Sequence, residues 1–168
     1  YLSRAGLLLA DNEPRFLDEA KRVWMTAPMW QPLRAAVELS MTTADWFELF
    51  VAQNLVIDGL VHPLVFDRFD RRLAAAGGAG FSLLNEFVVD WYAESSRWVD
   101  AMIKLAAAES VDNAARIVAW ASDWRARTVA ALAPLAEYGF GAEGAATLAE
   151  VDAGLVARAA RLGVALEG

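Results

Sequence analysis

The chain has 168 residues, enough for one domain with a sizeable core, and 57% of them are hydrophobic, with seven Trp and eight Phe. A net charge of -7 without basic clusters excludes a nucleic-acid footprint, and the absence of Cys excludes disulfides, thiol nucleophiles and thiolate metal sites. The longest uncharged run, Leu73 to Asn85, is Gly-rich and shorter than the ~18 residues a membrane span needs, so no membrane partner is expected, and no signal peptide is recognisable.

Helical periods recur along the chain while strand alternation is nearly absent, which predicts an all-α fold. Leu2 to Ala10 reads as the end of a helix already under way in a chain that opens at Tyr1 without Met, the expectation for a piece of a longer protein. Asp11-Asn12-Glu13-Pro14 is a loop in which Asn12 can cap a helix running to Thr26. Ala27-Pro28 breaks that helix, and a short one follows from Trp30 to Met41. Thr42 or Thr43 is expected to start the next, which extends to Ala75 with the stripe Phe47, Phe50, Asn54, Ile57, Val61, Leu64 and Val65, and Pro63 should kink it.

Gly77 to Gly80 is a stop between two long helices that should pack antiparallel. The second is predicted from Phe81 to Ser110, with the stripe Leu84, Phe87, Trp91, Glu94, Trp98, Ala101, Met102 and Leu105. Ser110 to Asn113 is a turn and cap, and a further helix carries Trp120 and Trp124 to about Tyr138. Gly139 and Gly141 end it. The domain reading is a helical bundle over residues 1–140 and an Ala-rich helical tail over 141–168.

Glu94 lies between Trp91 and Trp98 on one helical stripe. A carboxylate-bridged metal site in a helix bundle wants Glu-x-x-His, because residues three apart project from one face, but the residue in that place is Arg97. Glu94 could serve as a metal ligand or proton relay; without a histidine at that spacing, a carboxylate paired with Arg97 or a neighbouring helix is the better reading. Asn54 stands on the facing helix where a metal bundle would carry Glu, and an amide cannot supply the charge an iron site needs. A hydrogen bond across the bundle, with Glu94 as candidate partner, is the expected role. Asn54, Glu94 and Arg97 are therefore read as a structural polar remnant, with no catalytic, cofactor-binding or metal-ligating residue assigned. The single histidine, His62, is expected to satisfy a backbone carbonyl freed by Pro63 rather than to act as ligand or acid–base group. Gly77 to Gly80 lacks the strand and Lys of a phosphate cradle. Trp46, Phe50, Trp91 and Trp98 are expected to be mainly internal, although seven Trp exceed what one small core easily houses, so one or two are candidates for partner anchors.

The order and spacing of several blocks carry a family resemblance: Trp30-Gln31-Pro32-Leu33-Arg34, Asp45-Trp46-Phe47-Glu48, Phe50-Val51-Ala52-Gln53-Asn54-Leu55-Val56, Ala93-Glu94-Ser95-Ser96-Arg97-Trp98, Asp112-Asn113, Trp120 and Trp124-Arg125. Over roughly residues 1–140 the chain resembles the β subunit of the hydroxylase component of bacterial multicomponent di-iron monooxygenases, nearest to the phenol and toluene hydroxylases. The resemblance implies a ferritin-like bundle, similar to the ribonucleotide reductase small subunit, that lacks metal ligands. It implies a catalytic α subunit holding the di-iron centre, a small γ subunit, an (αβγ)2 assembly, and a regulatory protein and an NADH reductase that dock on it in the cytoplasm. It also implies an N-terminal half that this sequence does not contain. Two other readings stand beside it: a free-standing ferritin-like enzyme using Glu94 and His62, and a helical interaction module unrelated to oxygenases.

Overall fold

The structure is a computed structural model that describes residues 15–76 and 79–167, so the expectations for Leu2 to Ala10, for the Asn12 cap and for Gly77-Gly78 lie outside the described residues. Among the described residues there are helices and no strands. Helix α1 is Arg15–Thr26, and a 3-10 turn over Pro28–Trp30 leads into α2, Gln31–Ser40. Helix α3 is Trp46–Ala75, α4 is Ala79–Glu109, α5 is Val111–Phe140 and α6 is Gly144–Arg161.

The start of α3 differs from expectation. Thr42 turns its hydroxyl back onto the Leu39 carbonyl (2.8 Å), which closes α2. Asp45 is the cap instead: its Oδ1 accepts from the Phe47 and Glu48 amides at 2.8 and 3.3 Å. Asp is among the best N-cap residues because its carboxylate both accepts from the free amides and favours the positive helix end. Ser110 caps α5 as its sequence suggested, accepting from the Asn113 amide at 3.1 Å.

Within α3, Val51–Ile57 and His62–Phe69 are π-helical. Pro63 lies in the first turn of the second stretch, so the loss of its N–H is absorbed by the wider helix. The π stretches also rotate the chain, so the buried face of α3 is not the stripe read from a regular helical period. Ile57 and Leu64 of that stripe are buried as read, but Phe47, Phe50, Asn54, Val61 and Val65 are only half-buried, and Val51, Leu55 and Leu60 outside it are fully buried. By length and composition alone α3 also qualifies as a membrane-crossing helix, which a search for uncharged runs passes over. Its buried apolar residues belong to the protein's core.

Contacts along α3 and α4 fix their direction. Ser82 donates to Asp70 at 3.0 Å, Asn85 Nδ2 to the Phe66 carbonyl at 2.7 Å, Tyr92 stacks on His62, and Trp98 meets Phe50 edge-on at 5.4 Å. Positions rise on α4 as they fall on α3, so the pair is antiparallel, as the short connection implied.

Helices α5 and α6 close the opposite side of α3. Ile117, Ala121, Leu132 and Leu135 of α5 and Leu148, Val151, Leu155 and Ala159 of α6 join one core cluster with Val99 and Ile103 of α4. The segment after Gly141 thus contributes to the same core as the residues before it. Arg125 fixes it from α5 with a two-pronged bond to Asp152 (2.6 and 2.7 Å). Gly163, at φ +83, ends α6: its amide donates to the Ala160 carbonyl (3.2 Å) and the Val164 amide to that of Ala159 (3.0 Å). This paired closure needs a left-handed residue, which Gly adopts without strain.

The aromatic residues of the long pair depart from expectation. Trp46 is 73% exposed, Trp91 53%, Trp98 59% and Leu105 69%, and Phe87, Glu94 and Ala101 are exposed as well. The reason is that α4 carries two stripes. One, through Asn85, Tyr92, Ser96, Val99 and Ile103, faces α3, α5 and α6; the other, read from the sequence as internal, lies at the rim, where Trp91 and Trp98 touch His62 and Phe50 of α3 and are otherwise exposed.

Candidate functional site

The residues singled out by sequence are not gathered into one site. Asn54 lies in the first π stretch, and its Nδ2 donates to the Phe50 carbonyl of its own helix at 3.2 Å, not to Glu94. Glu94 and Arg97 are exposed on α4, and among the described residues neither makes a hydrogen bond or ion pair, with the other or with Asn54. The expected Glu94–Arg97 pair is absent because both side chains stand on the outward side of α4, where water solvates them separately.

His62 also departs from its expected role. Its imidazole lies flat on the Tyr92 ring (centroids 4.2 Å apart, planes at 4°) and against Phe66 at 4.9 Å, and Nδ1 is buried without a hydrogen-bond partner. Burial pushes its pKa below the ordinary 6.5, so the ring is held neutral. An imidazole stacked in this way is a packing residue.

The strongest polar cluster is one that sequence reading missed. Arg158 of α6 reaches between the long helices: Nε donates to Asp100 Oδ1 at 2.7 Å, Nη1 to the Tyr92 hydroxyl at 3.1 Å and Nη2 to the Ser96 carbonyl at 3.4 Å. Beside it, Gln53 donates to Asp58 at 3.1 Å. Burial raises the Asp58 carboxyl, opposed by the Gln53 bond and the Arg158 charge. Burial likewise raises the Tyr92 hydroxyl, with the Arg158 charge working against it. Gly59 makes room for the guanidinium, since a Cβ there would meet Leu155 Cδ1 at 3.0 Å and Arg158 Nη1 at 3.3 Å. The signal for this cluster was present in Tyr92, Ser96 and Asp100, one turn apart on a single helix face, and in an Arg set within the Ala-rich α6.

These residues do not fit a di-iron centre. Such a site draws several carboxylates and two histidines from facing helices. The chain has one histidine, packed on Tyr92; its facing helices offer an amide bound to its own backbone, a solvated carboxylate and a guanidinium. Among the described residues no group of three or more His, Cys, Asp or Glu side chains is placed to hold a metal ion. The arrangement is a helical bundle fastened by half-buried ion pairs, Arg125–Asp152 and Arg158–Asp100.

The sequence profile of the Methane/Phenol/Alkene Hydroxylase family matches residues 1–110. The chain belongs to this family. It is 48% identical over 164 residues to the oxygenase component DmpL of phenol 2-monooxygenase from Pseudomonas sp. (strain CF600), covering 98% of this chain and 49% of that protein. It is 31% identical over 108 residues to the hydroxylase component subunit beta of the toluene-4-monooxygenase system of Ectopseudomonas mendocina, covering 64% of this chain and 33% of that one. The fold superimposes on xenon-pressurised phenol hydroxylase from Pseudomonas sp. OX1 with a TM-score of 0.91 at 41% identity, over 100% of this chain and 50% of that chain. The bundle is thus ferritin-like, and the relationship continues through the segment after Gly141. The chain spans about half the length of the curated relatives it matches.

Proposed function

We propose that this chain is part of a non-catalytic β-type subunit of a multicomponent di-iron aromatic monooxygenase of the phenol/toluene kind. It stabilises a separate catalytic α subunit, which hydroxylates the substrate with O2 and NADH-derived electrons. A small γ subunit completes an (αβγ)2 assembly in the cytoplasm, on which a regulatory protein and an NADH reductase dock. The observation that carries this reading is the set at the facing positions: Asn54 turned onto Phe50, Glu94 solvated and Arg97 where a histidine ligand would stand. A free-standing enzyme would need Glu94 and His62 in one reactive site, and the stacking of His62 on Tyr92 argues against it. Family membership argues against an interaction module unrelated to oxygenases.

The test is co-expression with the large catalytic subunit of a phenol-hydroxylase-type oxygenase, followed by native mass spectrometry and metal analysis of what co-purifies. A complex with iron only in the large subunit is expected; a free chain carrying its own iron overturns the proposal. Within the assembled complex, Glu94→Gln should leave turnover within about twofold, because an exposed residue outside the reacting centre contributes little to the barrier. Loss of turnover from an intact complex would place chemistry in this chain.

A further inference from the structure

Among the described residues, two buried side-chain polar atoms have no hydrogen-bond partner, His62 Nδ1 and Asn85 Oδ1. Both belong to one place in the fold. His62 opens the second π stretch of α3. Asn85, 1% exposed on α4, donates through Nδ2 to the Phe66 carbonyl within that stretch at 2.7 Å. A buried amide that leaves its own oxygen bare while its nitrogen serves a backbone carbonyl is a costly arrangement. It persists where that carbonyl has no other donor.

The hydrogen-bond ladder explains the need. A regular helix pairs each carbonyl with the amide four residues on, and a π stretch pairs it with the amide five on. Where the wide ladder returns to the regular one, two successive carbonyls turn to the same amide and one is left short. The short one lies four residues before the first regular residue. The second stretch gives way to regular helix at Asp70, so the short carbonyl is that of Phe66, and the Asp70 amide is itself turned to the Asp67 carbonyl. Asn85 supplies the missing donor. At the first stretch the Asp58 amide closes on Gln53, five residues back, and the side-chain bond, Asn54 to the Phe50 carbonyl, comes from α3 itself. The first π register is thus fastened from within its own helix and the second from a neighbouring one.

We propose that Asn85 is a latch through which the position of α4 sets the register of α3 beyond Pro63. When α4 carries Asn85 off Phe66, the π register keeps a buried carbonyl without a donor, whereas the regular ladder needs no such donor, and the balance moves to the regular register. Tightening turns the helix beyond the stretch by about 100°. That turn draws Phe69 off Phe140 of α5 and Arg68 off Glu150 of α6, which meet here at 4.7 and 3.0 Å. A displacement of α4 is in this way passed to the seats of α5 and α6 on the end of α3.

Hydrogen exchange of the full-length protein as it purifies, read by peptide mass spectrometry, tests the latch. Asn85→Leu keeps the bulk of the side chain and removes the donor. Amides of residues 62–71 should exchange at least ~5-fold faster, with those of 51–57 and of α5 within ~2-fold of the unaltered protein. Asn85→Asp keeps the shape, and its ionised carboxylate cannot donate, so it should accelerate the same segment at least as much. No change over 62–71 overturns the inference. Equal acceleration of all three segments does so too, since Asn85 would then be an ordinary core residue. If neither variant folds, the unaltered protein answers. With rising denaturant, residues 62–69 and the α4 residues around Asn85 should become exchangeable together and before 51–57, because latch and stretch open as one unit. Any other order overturns the inference. Both readouts are internal to the bundle, so failure here leaves the subunit proposal standing.

Discussion

Gly139 and His62 are the two positions where a single side chain decides most. The ring of Phe69 occupies the space a Cβ on Gly139 would take, and Phe69 also packs at 4.7 Å on Phe140. Gly139→Ala should therefore cost about 1–3 kcal/mol in urea unfolding, the range for overpacking a formed core, and Phe69→Leu in the same chain should recover part of it. For His62 the direction of the shift sets the sign of the pH effect. The folded pKa lies below 6.5, so the unfolded chain binds the extra proton first. Stability from this residue is complete above 6.5 and is lost as pH falls toward the folded pKa. Asp58, raised above 3.8 by burial, works in the opposite sense at lower pH. With one histidine in the chain, a proton NMR titration reads the shift without assignment and should give a midpoint below 6.5. His62→Phe should flatten the stability curve just below 6.5; an unchanged slope would mean the ring is not desolvated.

At the scale of elements, what the sequence made legible was where helices exist and how the long pair runs. Ser110 and the Pro28 break are local signals that hold in the structure. The inward face of each long helix was not legible, for two different physical reasons. In α3 the π stretches break the regular period on which the stripe through Phe47, Asn54 and Val61 was built. In α4 two apolar stripes share one period, and periodicity cannot say which is covered first. For the same reasons the expected bond between Asn54 and Glu94 could not be checked by periodicity: Asn54 donates to its own helix and Glu94 is exposed. The fastening of α6 on α4 could not be read because Arg158 meets Tyr92 and Asp100 only in three dimensions. It is testable at this scale. Arg158→Ala leaves Asp100 and the Tyr92 hydroxyl without their partner and should cost about 2–4 kcal/mol by chemical denaturation. Arg158→Met with Asp100→Leu should cost less than Arg158→Ala, because no charge is then left behind. A larger loss in the double variant would mean that Asp100 holds the fold by itself.

At the scale of the whole molecule, the two sides of the described bundle differ in exposure. Arg125 and Arg158 hold α6 over a closed core, while Trp46, Trp91 and Trp98 are exposed. This division is built on a ferritin-like framework. The π-helical stretches of α3 give that framework one more property. Each accommodates a residue more than a regular helix of the same rise would need. Removing one residue from Val51–Ile57 lets that stretch tighten into ordinary helix while both ends of α3 stay near their neighbours. The same deletion in α4, which has no such reserve, would turn everything beyond it away from its contacts. The length of the polypeptide is thus elastic in one member of the pair and fixed in the other.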